Sequence, residues 1–458
     1  MEMKMATYVR DYTALVSADS TWNQAVGGTL KPTPVFVSYS FTATRPQGIN
    51  DRMGFADPNY FRQLSAAEQQ LVRDAFKTWD DVSGITFFEV PAGMGDIDIG
   101  VYDLATGIAG YGSMPSSKFF LRDGQFNIYG PGNNPHQGLY LDYQSGLDRH
   151  VILHEIGHAL GLEHPHEGDR RLPADLDNGN VTVMSYKDYF PKLGTMDLQA
   201  IQALYGTDAQ DGTQVADWSW NDQTHTLTQW GTAASETFKG TNSDDIIYGG
   251  GGRDIIIARA GNDTIYVSGK SFEISAGPGF DVIHTDFAYS EIGWTSLKNN
   301  YLSFYLKTGS GWDMVISEGE RVVFTDGVLA TDIDGNAGQM YRLYQAAFDR
   351  TPDHSGLGYW IRELDKGIKV AAIAESFLAS DEFQKTFGTQ DTVTNSRFID
   401  LLYTHTLGRQ YDQGGFNYWV GKLNANETNR SDLLAFFSNS DENKLKVAAQ
   451  VEDGIWYV

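Results

Sequence analysis

Residues 150–166 read H-V-I-L-H-E-I-G-H-A-L-G-L-E-H-P-H. His154 and His158 stand four residues apart, so on a helix they share one face. Two imidazoles so arranged reach one Zn²⁺ at about 2.0–2.1 Å per nitrogen. Gly161 lets the helix end in a left-handed conformation, and the returning chain can bring His164 as a third nitrogen ligand. Three neutral nitrogens leave a fourth position for water, the catalytic rather than the structural arrangement. Glu155, between the first two histidines, would stand beside that water as general base. His150, one helical turn earlier, and His166, two residues past His164 across a proline, are expected to stay off the metal.

The elements that must position these residues follow from periodicity. Leu153, Ile156, Ala159 and Leu160 give the histidine helix apolar positions to bury. Residues 64–79 predict a long helix with Leu71, Val72, Ala75, Phe76 and Trp79 in helical phase and a capping box from Ser65 and Glu68. Segments 34–41, 85–90 and 97–102 predict strands.

The pattern H-E-x-x-H-x-x-G-x-x-H over 154–164, with V-T-V-M-S-Y at 181–186, resembles the metzincin endopeptidases. The fuller form H-E-I-G-H-A-L-G-L-x-H-P with M-S-Y downstream resembles their serralysin branch, secreted bacterial zinc proteases. The resemblance implies that Met184 is an apolar base under the three histidines. It makes Tyr186 a movable ligand and a transition-state hydrogen-bond donor. Residues 109–115, A-G-Y-G-S-M-P, resemble the family's edge strand above the cleft, with Ala109, Gly110, Tyr111 and Gly112 binding an extended substrate through main-chain bonds; a surface loop is the alternative. Residues 196–206 resemble the closing helix of the catalytic domain. Residues 1–20 are a candidate pro-segment, since family members are often made as zymogens, and 21–26 a candidate first helix.

From Gly240 the chain falls into nines that follow G-G-x-G-x-D-x-U-x, a calcium-binding β-roll pattern. Asp245, Asp254, Asp263 and Asp281 hold one phase, and Ile247, Ile256, Ile265 and Ile283 follow two places later, pointing inward on short strands. The aspartates and the turn glycines Gly250, Gly252 and Gly261 are the expected structural Ca²⁺ site residues: carboxylates and exposed carbonyls suit a hard cation. The fourth block, 267–275, lacks the glycine pair and the aspartate, which points to few complete sites.

A second repeat lies further on: 343–361 echoes 402–420, anchored by Arg350 and Arg409, Gly356 and Gly415, Trp360 and Trp419. It resembles a domain of unannotated function appended to bacterial exported and surface-layer proteins. The two tryptophans are expected in the core. D-I-D-G-N at 332–336 has Leu343 where a calcium loop needs glutamate, so it is expected to be a linker and helix cap.

The chain is therefore expected to be multidomain: an α/β metzincin protease domain at 1–206, a parallel β-roll at 207–330 and an all-α C-terminal domain at 331–458. At 458 residues, with net charge -25 and no cysteine, it is expected to bind neither nucleic acid nor an anionic membrane, and to form no disulfide. No run of about 18 apolar residues predicts a membrane span. The N-terminus lacks an apolar signal core, while V-E-D-G-I-W-Y-V at the end resembles a type I secretion signal; a packed terminal strand is the alternative. The expected function is a secreted, extracellular zinc endopeptidase, monomeric, acting on protein or peptide substrates. The competing expectation is a surface-layer or adhesive calcium-binding module, associated with a cell-surface component, whose protease domain is inactive or inhibited.

Overall fold

The computed structural model describes the chain except residues 1–5, 17–20, 23–31, 46–54, 116–117, 123–124, 130–136, 146, 270–271, 299–300, 308–313 and 390. Most of the candidate first helix at 21–26 and parts of the candidate pro-segment therefore lie outside the described residues. The chain divides into two compact units, 1–232 with 236–248 and 257–262, and 233–235 with 249–256 and 263–458.

In the first unit β1 (Thr7–Tyr8) pairs in parallel with β10 (Arg170–Arg171), and Ala14 and Leu15 just after β1 are buried in the core. The central sheet contains β2 (Val35–Phe41), β3 (Phe55–Arg62), β4 (Ile85–Glu89), β5 (Ile97–Leu104), β6 (Gly110–Gly112) and β9 (Gln137–Asp142). Its order is β4-β2-β5-β9-β6, with β3 also pairing β5. β2, β4, β5 and β9 run parallel, and β2 is buried on both faces, its Ser38 and Ser40 hydroxyls donating to Asp96 and Asp98. β6 lies at the end of that order, antiparallel to β9, as the expected edge strand. β7 (Lys118–Arg122) and β8 (Gln125–Tyr129) form a separate hairpin.

Among the described residues three α-helices complete this fold. α1 (Ala66–Asp80) starts with the predicted capping box: the Glu68 N–H reaches the Ser65 hydroxyl and the Ser65 N–H reaches Glu68 Oε2. Trp79, fully buried at its far end, donates from its indole N–H to the Leu153 carbonyl of α2 (Arg149–Ala159) at 3.2 Å. Every residue of α2 from His150 to Ala159 is buried, so the helix has no solvent face to read as amphipathic. α3 (Thr195–Tyr205) ends the segment and buries Ala200, Ile201, Leu204 and Tyr205.

The nine-residue blocks form the expected parallel roll, built on β11 (Asp217–Asn221), β12 (Thr226–Trp230), β13 (Thr237–Lys239), β14 (Asp245–Gly250), β15 (Asp254–Ile257), β16 (Thr264–Val267), β17 (Phe272–Ser275) and β18 (Val282–Thr285). Within the first unit β12 and β14 pair in parallel, Leu227 with Asp245 and Gln229 with Ile247. Within the second, β16 and β18 pair in parallel, Thr264 with Val282 and Ile265 with Ile283. Both registers are two nine-residue blocks apart, so one coil of the roll takes two blocks. Ile247, Ile256, Ile265 and Ile283 are all fully buried. Block four, despite its lost motif, still forms β17, which pairs in parallel with β21 (Met314–Ser317). An antiparallel hairpin, β19 (Ile292–Lys298) and β20 (Tyr301–Leu306), adds to β21. A second hairpin, β22 (Arg321–Phe324) and β23 (Gly327–Ala330), is the expected closing strand and turn.

The last part comprises α4 (Asn336–Phe348), α5 (His354–Asp365), α6 (Val370–Leu378), α7 (Asp381–Phe387), α8 (Asn395–Leu401) with a wider turn at Leu402–Thr406, α9 (Gln413–Asn424), α10 (Arg430–Ser438) and α11 (Asp441–Val451). The internal repeat is visible in its bonds: Asp353 caps the Gly356 N–H as Asp412 caps Gly415, and Arg350 pairs with Glu382 as Arg409 pairs with Glu442. Trp360 and Trp419 are partly buried against this core. Asp332 accepts the Ala337 N–H, so D-I-D-G-N caps α4. The all-α expectation needs a correction. β24 (Ile455–Tyr457) pairs antiparallel with β23, and Ile455 and Tyr457 are buried. The alternation of apolar Ile455 and Tyr457 with half-buried Trp456 suits a strand on a one-sided sheet. Among the described residues no helix is long and apolar enough to cross a membrane.

Candidate active site

α2 is short and closes sharply. Gly161 takes φ +94, the Gly161 N–H reaches His158 O at 2.9 Å, and the Leu162 N–H reaches Gly157 O at 2.9 Å. The return brings His164 Nε2 to 3.2 Å from His154 Nε2 and 2.9 Å from His158 Nε2. Three nitrogens of His154, His158 and His164 thus share one focus.

Each ring is held from behind. His154 Nδ1 faces Val183 O at 2.9 Å, His158 Nδ1 faces Leu162 O at 2.7 Å, and His164 Nδ1 faces the Glu167 carboxylate at 2.9 Å. A carbonyl can only accept, so in His154 and His158 the proton sits on Nδ1 and the Nε2 lone pair is free. Burial drives His154 down to about 2 and His158 down to about 4, and holds His164 below its ordinary range. Neutral imidazoles with oriented lone pairs and carbonyl or carboxylate partners are what a zinc site requires, so the residues fit that metal. His164, His166 and Glu167 also lie close together, and His164 Nδ1 is engaged by Glu167. His166 stacks on His164 with centroids 5.3 Å apart, and His150 bonds to Phe190 O and packs on Tyr189.

Glu155 lies on α2 directly beneath β6. A Cβ on Gly110 would come 2.6 Å from Glu155 Cγ, and one on Gly112 would come 2.2 Å from Glu155 O. The two glycines therefore let the edge strand lie against the helix. Burial pushes the Glu155 carboxyl up to about 8, partly offset by a bond from the Gly112 N–H.

Met184 is fully buried, with Sδ so close to α2 that a Cβ on Gly157 would meet it at 2.5 Å. Tyr186 stands 62 % exposed, its ring 5.6 Å from that of His154 and 4.5 Å from that of His164. Partial burial, with Glu155 next in weight, pushes that phenol up to about 12, so it stays protonated and able to donate.

Three residues here lie outside the motifs read from the sequence. Glu167 backs His164. Asp197, fully buried, accepts from the Thr182 hydroxyl at 2.5 Å and from the Val183 and Gly194 N–H groups at 2.7 Å, fixing the turn before Met184. Asp177 accepts from the Ser185 hydroxyl at 2.6 Å and from Lys187 at 2.8 Å just beyond it. The capping position of Asp197 on α3 was the available signal for the second.

In the roll, Asp245, Asp254, Asp263 and Asp281 are all buried, and Gly250, Gly252 and Gly261 take φ +76, +92 and +135. A side chain is disfavoured at each, which is why glycine recurs.

The family described as Matrixin matches residues 57–206. The RTX calcium-binding nonapeptide repeat family matches 230–265, and a domain of unknown function, DUF4214, matches 374–447. A serralysin of Proteus mirabilis is 28 % identical over 58 % of this chain and 56 % of its own length. A hatching enzyme of Paracentrotus lividus is 31 % identical over 39 % of this chain and 29 % of its own. The metallopeptidase AprA of Pseudomonas marginalis is 25 % identical over 48 % of this chain and 49 % of its own. The chain thus spans little more than half, or less, of these relatives.

Proposed function

Starting from a chain that is serralysin-like, with a matrixin domain and RTX calcium-binding repeats, we propose that it is a secreted zinc-dependent endopeptidase. The observation that carries this is the focus of three Nε2 atoms beside Glu155, each histidine backed at Nδ1. His154, His158 and His164 would hold the zinc. Zinc supplies a Lewis acid for the scissile carbonyl and lowers the pKa of a water in its fourth position.

The chain's own residues would do the rest. β6, through Gly110 to Gly112, pairs with an extended peptide by main-chain bonds, which asks little of substrate side chains. Glu155 takes the proton of the attacking water on a carboxylate oxygen and delivers it to the leaving nitrogen. Its raised pKa fits a group that must hold that proton between the two events. Tyr186 donates its hydroxyl proton in a hydrogen bond to the carbonyl oxygen as charge builds there. Met184 gives the histidines an apolar floor. The roll would bind structural Ca²⁺ through Asp245, Asp254, Asp263 and Asp281 and the turns at Gly250, Gly252 and Gly261.

The test is cleavage of an unfolded protein such as casein by zinc- and calcium-loaded full chain. Activity should vanish with a chelator and fall at least about 1000-fold in Glu155→Ala, which removes the general base and its placement of water. A metal-loaded chain that cuts nothing would favour the adhesive reading instead.

A further inference from the structure

The carbonyls at the end of a helix lack intrahelical partners and need others. At the end of α2 two of them are met from a distance. The Trp22 indole N–H donates to Ala159 O at 2.9 Å, and the Tyr205 hydroxyl donates to Leu160 O at 2.8 Å. Tyr205 in turn accepts the Trp22 backbone N–H at 3.1 Å. These carbonyls stand immediately before the Gly161 turn that returns His164 to the other histidines.

Trp22 is held on its other side by the start of the roll. Its carbonyl accepts from Lys239 Nζ at 3.0 Å, and the Arg259 guanidinium lies 5.0 Å from its ring centroid. Arg259 Nη1 is 2.6 Å from Asp96 Oδ1, and Asp96 Oδ2 accepts both the N–H and the hydroxyl of Ser38 on β2. All of these residues belong to the first compact unit.

Arg259 occupies the place in its nine-residue block that Gly250 holds in the block before. Both are left-handed, φ +78 and +76. Glycine adopts that conformation freely and arginine does not. At Arg259 the repeat departs from its own local preference, and there the side chain reaches the protease sheet and Trp22.

We propose that Trp22 and Arg259 are positioning residues that tie the start of the roll to the C-terminal end of the histidine helix. Order in the roll thereby supports the spacing of His158 and His164. The effect on metal binding rests on the zinc reading above; the effect on the helix end does not.

The experiment is hydrogen exchange by segment on the full chain, with and without metals, together with Zn²⁺ affinity by chelator competition. Arg259→Gly relieves the backbone and removes the side chain. It should leave protection at 245–250 at the wild-type level while speeding exchange of the Leu160, Gly161 and Leu162 amides about tenfold or more. Trp22→Phe keeps a ring but removes the indole donor; it should speed the same amides and weaken zinc about tenfold. Arg259→Lys retains a cation beside Asp96 and should restore most of the protection lost in Arg259→Gly. Wild-type exchange at 160–162 in both Arg259→Gly and Trp22→Phe would overturn the proposal. If no variant or wild-type chain holds zinc, the zinc reading fails, and the exchange result still decides this one.

Discussion

Asp197 accepts the backbone N–H of Val183 at 2.7 Å, and the carbonyl of that same Val183 faces Nδ1 of His154 at 2.9 Å. One peptide segment therefore connects a buried carboxylate on α3 to the orientation of a candidate metal ligand. Asp197→Asn keeps the size but turns an N–H₂ toward donors that need an acceptor. We expect a loss of about 2 kcal/mol in stability and of about 10-fold or more in zinc affinity. Denaturant unfolding and chelator competition measure the two; wild-type zinc affinity would detach Asp197 from the site.

The glycines of β6 should differ in cost. Alanine at 112 meets the Glu155 backbone oxygen at 2.2 Å, whereas alanine at 110 meets the Glu155 side chain at 2.6 Å. A side chain can turn aside and backbone cannot. Gly112→Ala should lower kcat/KM more than Gly110→Ala, the first by about 100-fold or more for a misplacement of this size. Steady-state kinetics on a peptide substrate gives the order, and the reverse order would remove the close approach as its cause.

Tyr186→Phe should leave zinc bound and lower kcat by about 10–1000-fold, the range for losing one donor to an oxyanion. Metal analysis and kcat are read on the same sample. An unchanged kcat would take Tyr186 out of the mechanism.

Chelating calcium at fixed zinc should lower the melting temperature, with residues 240–290 losing exchange protection first. If the buried Asp245, Asp254, Asp263 and Asp281 hold the ion as proposed, folding of the roll depends on it. Helices α4–α11, built on an apolar core of their own, should persist longer. Equal protection of 240–290 in both states would defeat the coupling.

Lys239 gives stability a pH dependence of definite sign. Burial pulls its ammonium from 10.5 down to about 7. Between those values the unfolded chain binds the proton and the folded chain does not, so stability should rise with pH across that window. Below about 7 the buried charge opposes folding in full. Lys239→Met should flatten the slope of unfolding free energy from pH 7 to 10; a slope that survives the substitution belongs to another group.

The sequence by itself determined the candidate ligand set and the roll. His154, Glu155, His158, Gly161 and His164 lie within one helix and its turn, where spacing along the chain is spacing in space. The nine-residue phase likewise repeats one local unit, and the structure's pairing of Leu227 with Asp245 and Ile265 with Ile283 continues it. Tertiary structure alone decided what holds those residues still. Gly112 against Glu155, Asp197 beneath Val183, and Trp22 between Ala159 and Arg259 join positions that lie apart in the chain. The final strand was open for the same reason: I-W-Y alternates too briefly to declare itself until β23 offers an edge to pair with. Chemistry that depends on residue identity is written locally, while support that depends on packing is written only in the fold.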